Sequence, residues 1–312
     1  MGITSSLCLP ITSKEHQNDV CFGLTNISSN CYLNSLIQAF ASSQNFYFAV
    51  TDHKIASLIN KEEDLPSFTL ALIAFILKWQ KQQKFTVYTP ITMTQHGISL
   101  FSSYHIHQDI HEALLRILEE FHSSAQELKL LFSGSIEHRY EYTCHSGISY
   151  NTEDFCSLAL DVCEVTSLNQ LLSAHIARTE SDIHCEDCET DGKLVVSSSF
   201  VTLPAIFVIT LKRFTYENGT RKISAYVHIP SNLNLHSHRY KLLAVIAHIG
   251  TPCFGHYVCF ALRDEQWYLF DDDKCVHIAH GIDSYLLRQG PMSFKDDCMT
   301  PYMIFYEQTQ RY

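Results

Sequence analysis

A chain of 312 residues, 46% of them apolar, is long enough to bury a sizeable core and allows one large domain or two. Its net charge of −11 argues against general binding to nucleic acid. The 12 cysteines are scattered irregularly behind a start that has no signal peptide, and no apolar run approaches the roughly 18 residues of a membrane span. Free thiols in a reducing, cytoplasmic setting are expected, not a disulfide framework.

Met1-Gly2-Ile3-Thr4-Ser5-Ser6 fits the N-myristoylation pattern, with Gly2 exposed once Met1 is removed and Ser6 at the required position. Cys8 is placed to carry the second lipid that stable anchoring takes. Lipidation at Gly2 is the one route to a membrane. The plain alternative is a disordered tail over residues 1–20, whose Pro10, Ser13, Lys14 and Asn18 read as a linker.

A polar loop then runs into a helix, with Cys31 at the junction. Ser28, Ser29 and Asn30 are all good N-cap residues, and Leu33, Leu36, Ile37 and Phe40 repeat at helical spacing. A thiol in the first turn of a helix sits where unpaired N–H groups and the dipole favour a thiolate nucleophile. Those N–H groups, with the amide of Asn26, are also suited to stabilising an oxyanion. A small buried cysteine opening a core helix accounts for the same pattern.

Residues 68–84 carry a helical stripe, and Pro90 and Gly97 punctuate a loop. Gln108-Asp109 opens a clear helix on Ile110, Ala113, Leu114, Ile117, Leu118 and Phe121. Asp109 reads either as its N-cap or, with Gln108, as a group lining a cleft that takes an extended peptide.

From about residue 133 the pattern turns to short strands. Cys185-Glu186-Asp187-Cys188 has the spacing of half a tetrahedral zinc site, and Cys144 is a third thiol upstream. A fourth ligand is missing from the pattern; His145, His184 and Cys156 are the candidates. Free thiols at a turn are the alternative. Further strands are expected over 157–165, 205–214, 222–229, 240–250, 256–262, 267–270 and 302–306, with a hairpin turn at Asn218-Gly219.

Among 18 histidines, His256 is distinguished by its surroundings. It follows Gly255 at the start of an apolar strand, and the returning strand ends in Asp271-Asp272-Asp273. If Leu262 pairs with Trp267 across the turn 263–266, Val258 lies opposite Asp271, and His256 is one diagonal step from that carboxylate on the same face. A slip of one residue turns Asp272 to it instead. A histidine oriented by an acid needs only to reach Cys31 to act as its base.

The stretch Gly23-Leu24-Thr25-Asn26 through Cys31-Tyr32-Leu33-Asn34-Ser35 to Gln38 resembles the cysteine box of the ubiquitin-specific protease family. Gly255-His256-Tyr257, with Trp267 to Asp271-Asp272, resembles its histidine box. Gln108-Asp109, Glu112 and Leu114 resemble its internal Q-D-A-x-E-F motif, and Leu211-Lys212-Arg213-Phe214 its L-K-R-F strand. The four stretches stand in the family's order from about residue 22 to 307.

The resemblance implies an α+β, papain-like cysteine protease whose catalytic domain spans 21–312. Its helical thumb is expected over about 21–130, β-rich fingers over 131–200 and an antiparallel β palm over 201–312. Carried over by position, Cys31 is the nucleophile, His256 the base and Asp271 the orienting acid. Asn26 shapes the oxyanion hole with help from Asp272, and Gln108, Asp109, Gly255 and Tyr257 meet the substrate tail. No cofactor is required for catalysis, and Cys144, Cys185 and Cys188 mark the place of a structural zinc. Thr220-Arg221-Lys222-Ile223 and the run 243–250 are most similar to the interferon-induced branch. That similarity implies release of the interferon-stimulated ubiquitin-like modifier from its conjugates, an interferon receptor or signalling partner, and a nuclear as well as a cytoplasmic pool. The alternatives are action on ubiquitin itself, or a scaffold that binds a modifier without turning it over. Ser28-Ser29-Asn30 departs from the family's Gly-Asn-Thr, so a φ > 0 at Ser28 would carry a cost glycine avoids.

Overall fold

The computed structural model describes residues 21–27, 29–52, 55, 67–79, 86–89, 91–99, 108–145, 147–162, 167–215, 221–251, 254–279, 281–282 and 299–311. Gly2 and Cys8, the linker that follows them, Ser28 and the Asn218-Gly219 turn lie outside these residues.

Helices dominate the first part: α1 (Cys31–Ser42), α2 (Gln44–Thr51), α3 (Phe68–Trp79), α4 (Ile91–Ser99), α5 (Ile110–Ser124) and α6 (Gln126–Leu130). In α5 the six expected apolar residues are the buried ones, and Asp109 caps the helix by accepting from His111 N (2.7 Å) and Glu112 N (3.3 Å). Helix α1 differs from its amphipathic reading, because every residue from Cys31 to Ala41 is buried. Its polar side chains are satisfied inside: Gln38 Nε2 donates to Phe22 O at 2.9 Å and Asn34 Nδ2 to Leu24 O at 3.1 Å. Helix α4 replaces the loop expected around Gly97; burial of Met93 in the helical core outweighs the weak propensity of its sequence.

The second part is β-rich. A four-stranded sheet runs in the order β4 (Ile148–Phe155), β3 (Gly134–Tyr142), β7 (Thr190–Thr202) and β6 (Thr179–Cys185). The larger sheet runs β15 (Lys274–Ile278), β14 (Gln266–Asp271), β13 (Gly255–Arg263), β12 (His238–Gly250), β16 (Thr300–Arg311), β8 (Ile206–Lys212) and β5 (Leu158–Asp161), with β11 (Asn232–Leu235) on the outer half of β12. All its pairings are antiparallel except that of β5 with β8. The helix α7 (Leu168–His175) packs beside β5.

This sheet is covered on both faces, which explains its near-continuous apolar runs. Along β13, Tyr257, Cys259 and Ala261 face the core shared with the helices, while Val258 and Phe260 face a second core with α7.

The strand expected over 222–229 is not continuous. Only a short pair forms, β9 (Phe214–Thr215) with β10 (Arg221–Lys222). Beyond it a side chain takes the place of a ladder: the fully buried Arg213 donates from Nη1 to Ile223 O (2.9 Å) and Ala225 O (2.8 Å). The expectation of free thiols alone is also corrected. Cys21 and Cys275 form a disulfide with Cα atoms 6.6 Å apart. The other cysteines among the described residues are free.

Candidate active site

Two short strands bring the loop before Cys31 to its place. β1 (Phe22–Leu24) pairs in parallel with β2 (Thr86–Tyr88), and Leu24 N donates to Asp272 O at 2.8 Å. Gly23 is required there, since a Cβ would stand 2.2 Å from Asp273 O. The loop therefore enters α1 in contact with the acidic turn that follows β14.

His256 is delivered to the same end of the sheet by β13. Gly255 lets it start there, because a Cβ on residue 255 would lie 1.9 Å from His248 Nε2. The β13–β14 register pairs Leu262 with Trp267 and Cys259 with Phe270, the one that points His256 at Asp271 and not Asp272. The hairpin is tighter than expected: Arg263 pairs with Gln266, leaving Asp264 and Glu265 at φ 46° and 61° as a two-residue turn. His256 Nε2 donates to Asp271 Oδ1 at 2.6 Å, and the imidazole also hydrogen-bonds Cys31. Burial alone would pull this imidazole down. The hydrogen bonds to Asp271 and Cys31, with the charges of both, outweigh it and hold the group up at about 10. A cationic imidazole beside the sulfur is the arrangement that favours thiolate. Cys31 is 1% exposed and the His256 side chain 30% exposed, so the imidazole forms the open side of the pair.

The loop itself is held by amides. Asn26 Nδ2 donates to Asp272 Oδ2 (2.8 Å), and Asn34 Nδ2 donates to Asp272 Oδ1 (2.8 Å). Asn30 N donates to Asn26 Oδ1 (3.2 Å), Asn30 Nδ2 to Asn34 Oδ1 (3.0 Å), and Ile27 N to Asn30 Oδ1 (2.8 Å). Burial pushes the Asp272 carboxyl up even though both amides favour its charged form. Ser29, not glycine, occupies the left-handed region at φ 51°, a conformation that costs a non-glycine residue about 1 kcal/mol.

Sequence reasoning missed Asn30 and Asn34. Their signal was there: Asn26, Asn30 and Asn34 recur every four residues across a helix start.

The residues expected to meet a substrate tail are placed less openly. Both Asp109 oxygens are engaged within the chain, one at the helix cap and Oδ2 by the Tyr302 hydroxyl at 2.6 Å. Gln108 is half-buried beside it. Tyr257 is buried, with its ring 4.9 Å from that of His248.

At the far end of the four-stranded sheet, Cys144, Cys185 and Cys188 meet His145. The three sulfurs and a ring nitrogen all lie within 4.8 Å of one another. His145 Nδ1 is 3.2 Å from Cys144 Sγ, 3.6 Å from Cys185 Sγ and 3.8 Å from Cys188 Sγ. Three thiols and one imidazole are a zinc donor set. Of the three candidates for a fourth position, His145 is the one that lies within this cluster. His184 instead pairs with Asp191 at 2.8 Å, and Cys156 lies 3.9 Å from the Ser133 hydroxyl.

A family model described as ubiquitin carboxyl-terminal hydrolase matches residues 22–306. Ubiquitin carboxyl-terminal hydrolase 12 of Salmo salar is 25% identical over 93% of this chain and 90% of its own length. Ubiquitin carboxyl-terminal hydrolase 4 of Arabidopsis thaliana is 25% identical over 81% of this chain and 84% of its own. Among solved structures, the SAGA Ubp8/Sgf11/Sus1/Sgf73 DUB module bound to ubiquitin aldehyde matches with a TM-score of 0.77 at 20% identity, covering 97% of this chain and 72% of that one. A second structure of the module, bound to monoubiquitin, matches with a TM-score of 0.76 at 21% identity over 98% of this chain and 73% of that one. At such identities the structural likeness establishes the shared α+β fold.

Proposed function

Because the chain belongs to the ubiquitin carboxyl-terminal hydrolase family of thiol-dependent hydrolases, we propose that it cleaves ubiquitin from lysine side chains, with Cys31, His256 and Asp271 as its catalytic residues. The observation that carries this reading is the 2.6 Å bond from His256 to Asp271 on an imidazole that also bonds Cys31.

In this reading the Cys31 thiolate attacks the carbonyl carbon of the modifier's C-terminal glycine. The carbonyl oxygen takes up the negative charge and meets the amide of Asn26 and backbone N–H groups at the start of α1. His256 gives its proton to the lysine nitrogen, which leaves as an amine, and a thioester stays on Cys31. Water then attacks the thioester; His256 takes its proton, the carboxylic acid departs and the thiolate returns. Asp271 keeps the imidazole oriented and its cation stabilised throughout.

Ubiquitin takes precedence over the interferon-stimulated modifier as the substrate. The named relatives are ubiquitin hydrolases and the SAGA module holds ubiquitin, whereas the finer similarity at 220–223 and 243–250 has no support beyond the sequence itself. The same reading gives Cys144, His145, Cys185 and Cys188 a structural zinc, which would tie the tips of β3, β6 and β7 together and take no part in the chemistry.

Ubiquitin and the interferon-stimulated modifier, each carrying a C-terminal electrophile, test the proposal side by side. Labelling of Cys31 by the ubiquitin probe, lost in Cys31→Ala, is the expected result. Preference for the other probe would reverse the choice of modifier. Binding of ubiquitin without labelling would make the chain a scaffold.

A further inference from the structure

The pattern this chain resembles has Gly-Asn-Thr before its cysteine, and Ser28-Ser29-Asn30 stands there instead. Ser29 occupies the left-handed region at φ 51°, where asparagine or glycine is the usual occupant, and an asparagine appears one position later. That asparagine is fully buried, and its side chain makes no N-cap hydrogen bond. We propose that Asn30 is a positioning residue that sets the orientation of the Asn26 amide toward the oxyanion, in place of the residues the loop lacks.

The hydrogen bonds leave one consistent assignment. Ile27 N–H only donates, so the Asn30 atom facing it at 2.8 Å is Oδ1. Its Nδ2 is thereby turned to Asn34, whose facing atom must be Oδ1 at 3.0 Å. Asn34 Nδ2 then faces Leu24 O and Asp272 Oδ1, both acceptors. The second Asp272 oxygen accepts from Asn26 Nδ2 at 2.8 Å, and the Asn30 backbone N–H donates to Asn26 Oδ1 at 3.2 Å. The ring closes on Asn26, the one asparagine of the three that is exposed. Its amide is held at both ends, with one Nδ2 hydrogen on Asp272 and the other directed away from it. That second hydrogen is the donor available to a developing oxyanion.

A threonine hydroxyl carries its donor and its acceptors on one atom closer to the backbone, whereas Asn30 meets Ile27 N–H and Asn34 Oδ1 with two separate atoms, Oδ1 and Nδ2. Only an amide of this length bridges the loop to Asn34. The inference rests on the proposed roles of Cys31 and Asn26.

Asn30→Thr, Asn30→Asp and Asn30→Ala separate the possibilities, assayed on a fluorogenic ubiquitin C-terminal amide and by the alkylation rate of Cys31 with iodoacetamide. Alkylation uses the thiolate but forms no oxyanion. Loss of the oriented donor is expected to lower kcat by about 10- to 100-fold with KM within about 2-fold, while alkylation stays within about 2-fold of wild type. Asn30→Asp keeps the acceptor and loses the donor, so it falls with the other two. A kcat unchanged in Asn30→Thr and Asn30→Ala overturns the inference alone. So does alkylation that falls in step with kcat, since that marks a disturbed helix start and not a misaimed amide. A wild-type chain that neither turns over the substrate nor alkylates at Cys31 overturns the reading of the site, and this inference with it.

Discussion

Arg263 Nη2 donates to Gln38 Oε1 at 2.5 Å, joining the end of the His256 strand to the helix that Cys31 begins. The guanidinium is buried between two rings, 4.6 Å from the centroid of Phe22 and 4.4 Å from that of Phe270, and its Nε donates to Ser42 Oγ at 3.0 Å. Burial pushes it down to about 9. One side chain thus ties β1, α1 and β14 behind the candidate site. Arg263→Lys keeps a charge but loses the planar fork and the double stacking. Urea denaturation is expected to record a loss of about 2–4 kcal/mol. Wild-type stability in the lysine variant would mean that the clamp contributes little.

The imidazole of His256 carries a pH signature. Its value is raised from 6.5 to about 10, so the stabilisation from its cation is complete below about 6.5 and is lost as pH rises through about 10. The alkaline limb of kcat/KM is expected near that upper value. Asp271→Asn removes the main partner that raises it, so the limb moves to lower pH and the rate falls by about 10²- to 10⁴-fold. A limb that stays in place would separate Asp271 from the imidazole's charge.

For the cysteine–histidine cluster the measurement is metal content. Purified protein is expected to hold about one zinc per chain. Cys185→Ser and His145→Ala should lose it, with thermal unfolding shifted downward, whereas His184→Ala should keep it. Retention of zinc by His145→Ala would point to another fourth ligand.

The Cys21–Cys275 bridge closes a loop of 254 residues. Cys21→Ser is expected to cost about 2–4 kcal/mol under non-reducing conditions. A mild reductant should bring wild type down to the stability of the variant and leave the variant unmoved. Equal stability of the two in the absence of reductant would count against a contribution from the bridge.

Asp109 has two readings that kinetics can separate. As a cap bonded to His111 N and a partner of the Tyr302 hydroxyl, its loss in Asp109→Ala should cost about 1–3 kcal/mol of stability. KM for a ubiquitin substrate should change little. A large rise in KM with unchanged stability would favour contact with the modifier's tail.

Much of the site was legible locally. The stripe of α5, its cap at Asp109, the junction at Cys31 and the pairing of Leu262 with Trp267 follow from period and turn rules that act over a few residues. The hairpin register was enough to bring His256 to Asp271, since a strand alternates strictly and one pairing sets all the others. Where the reading failed, a distant group had intervened. The carbonyls of Ile223 and Ala225 went to the Arg213 guanidinium, and burial of Met93 made a helix of residues read as a loop.

By itself, then, the sequence determined the order of helices and strands, the place of Cys31 at a helix start, and Asp271 one diagonal step from His256. Only the tertiary structure decided that Asn34 meets Asp272, that His145 completes three cysteines, and that Cys21 lies against Cys275. The physical reason is that closing a chain segment costs free energy that grows only slowly with its length. Spacing along the chain therefore carries little information about which far-off groups meet, and the packing of the sheet and α1 chooses them.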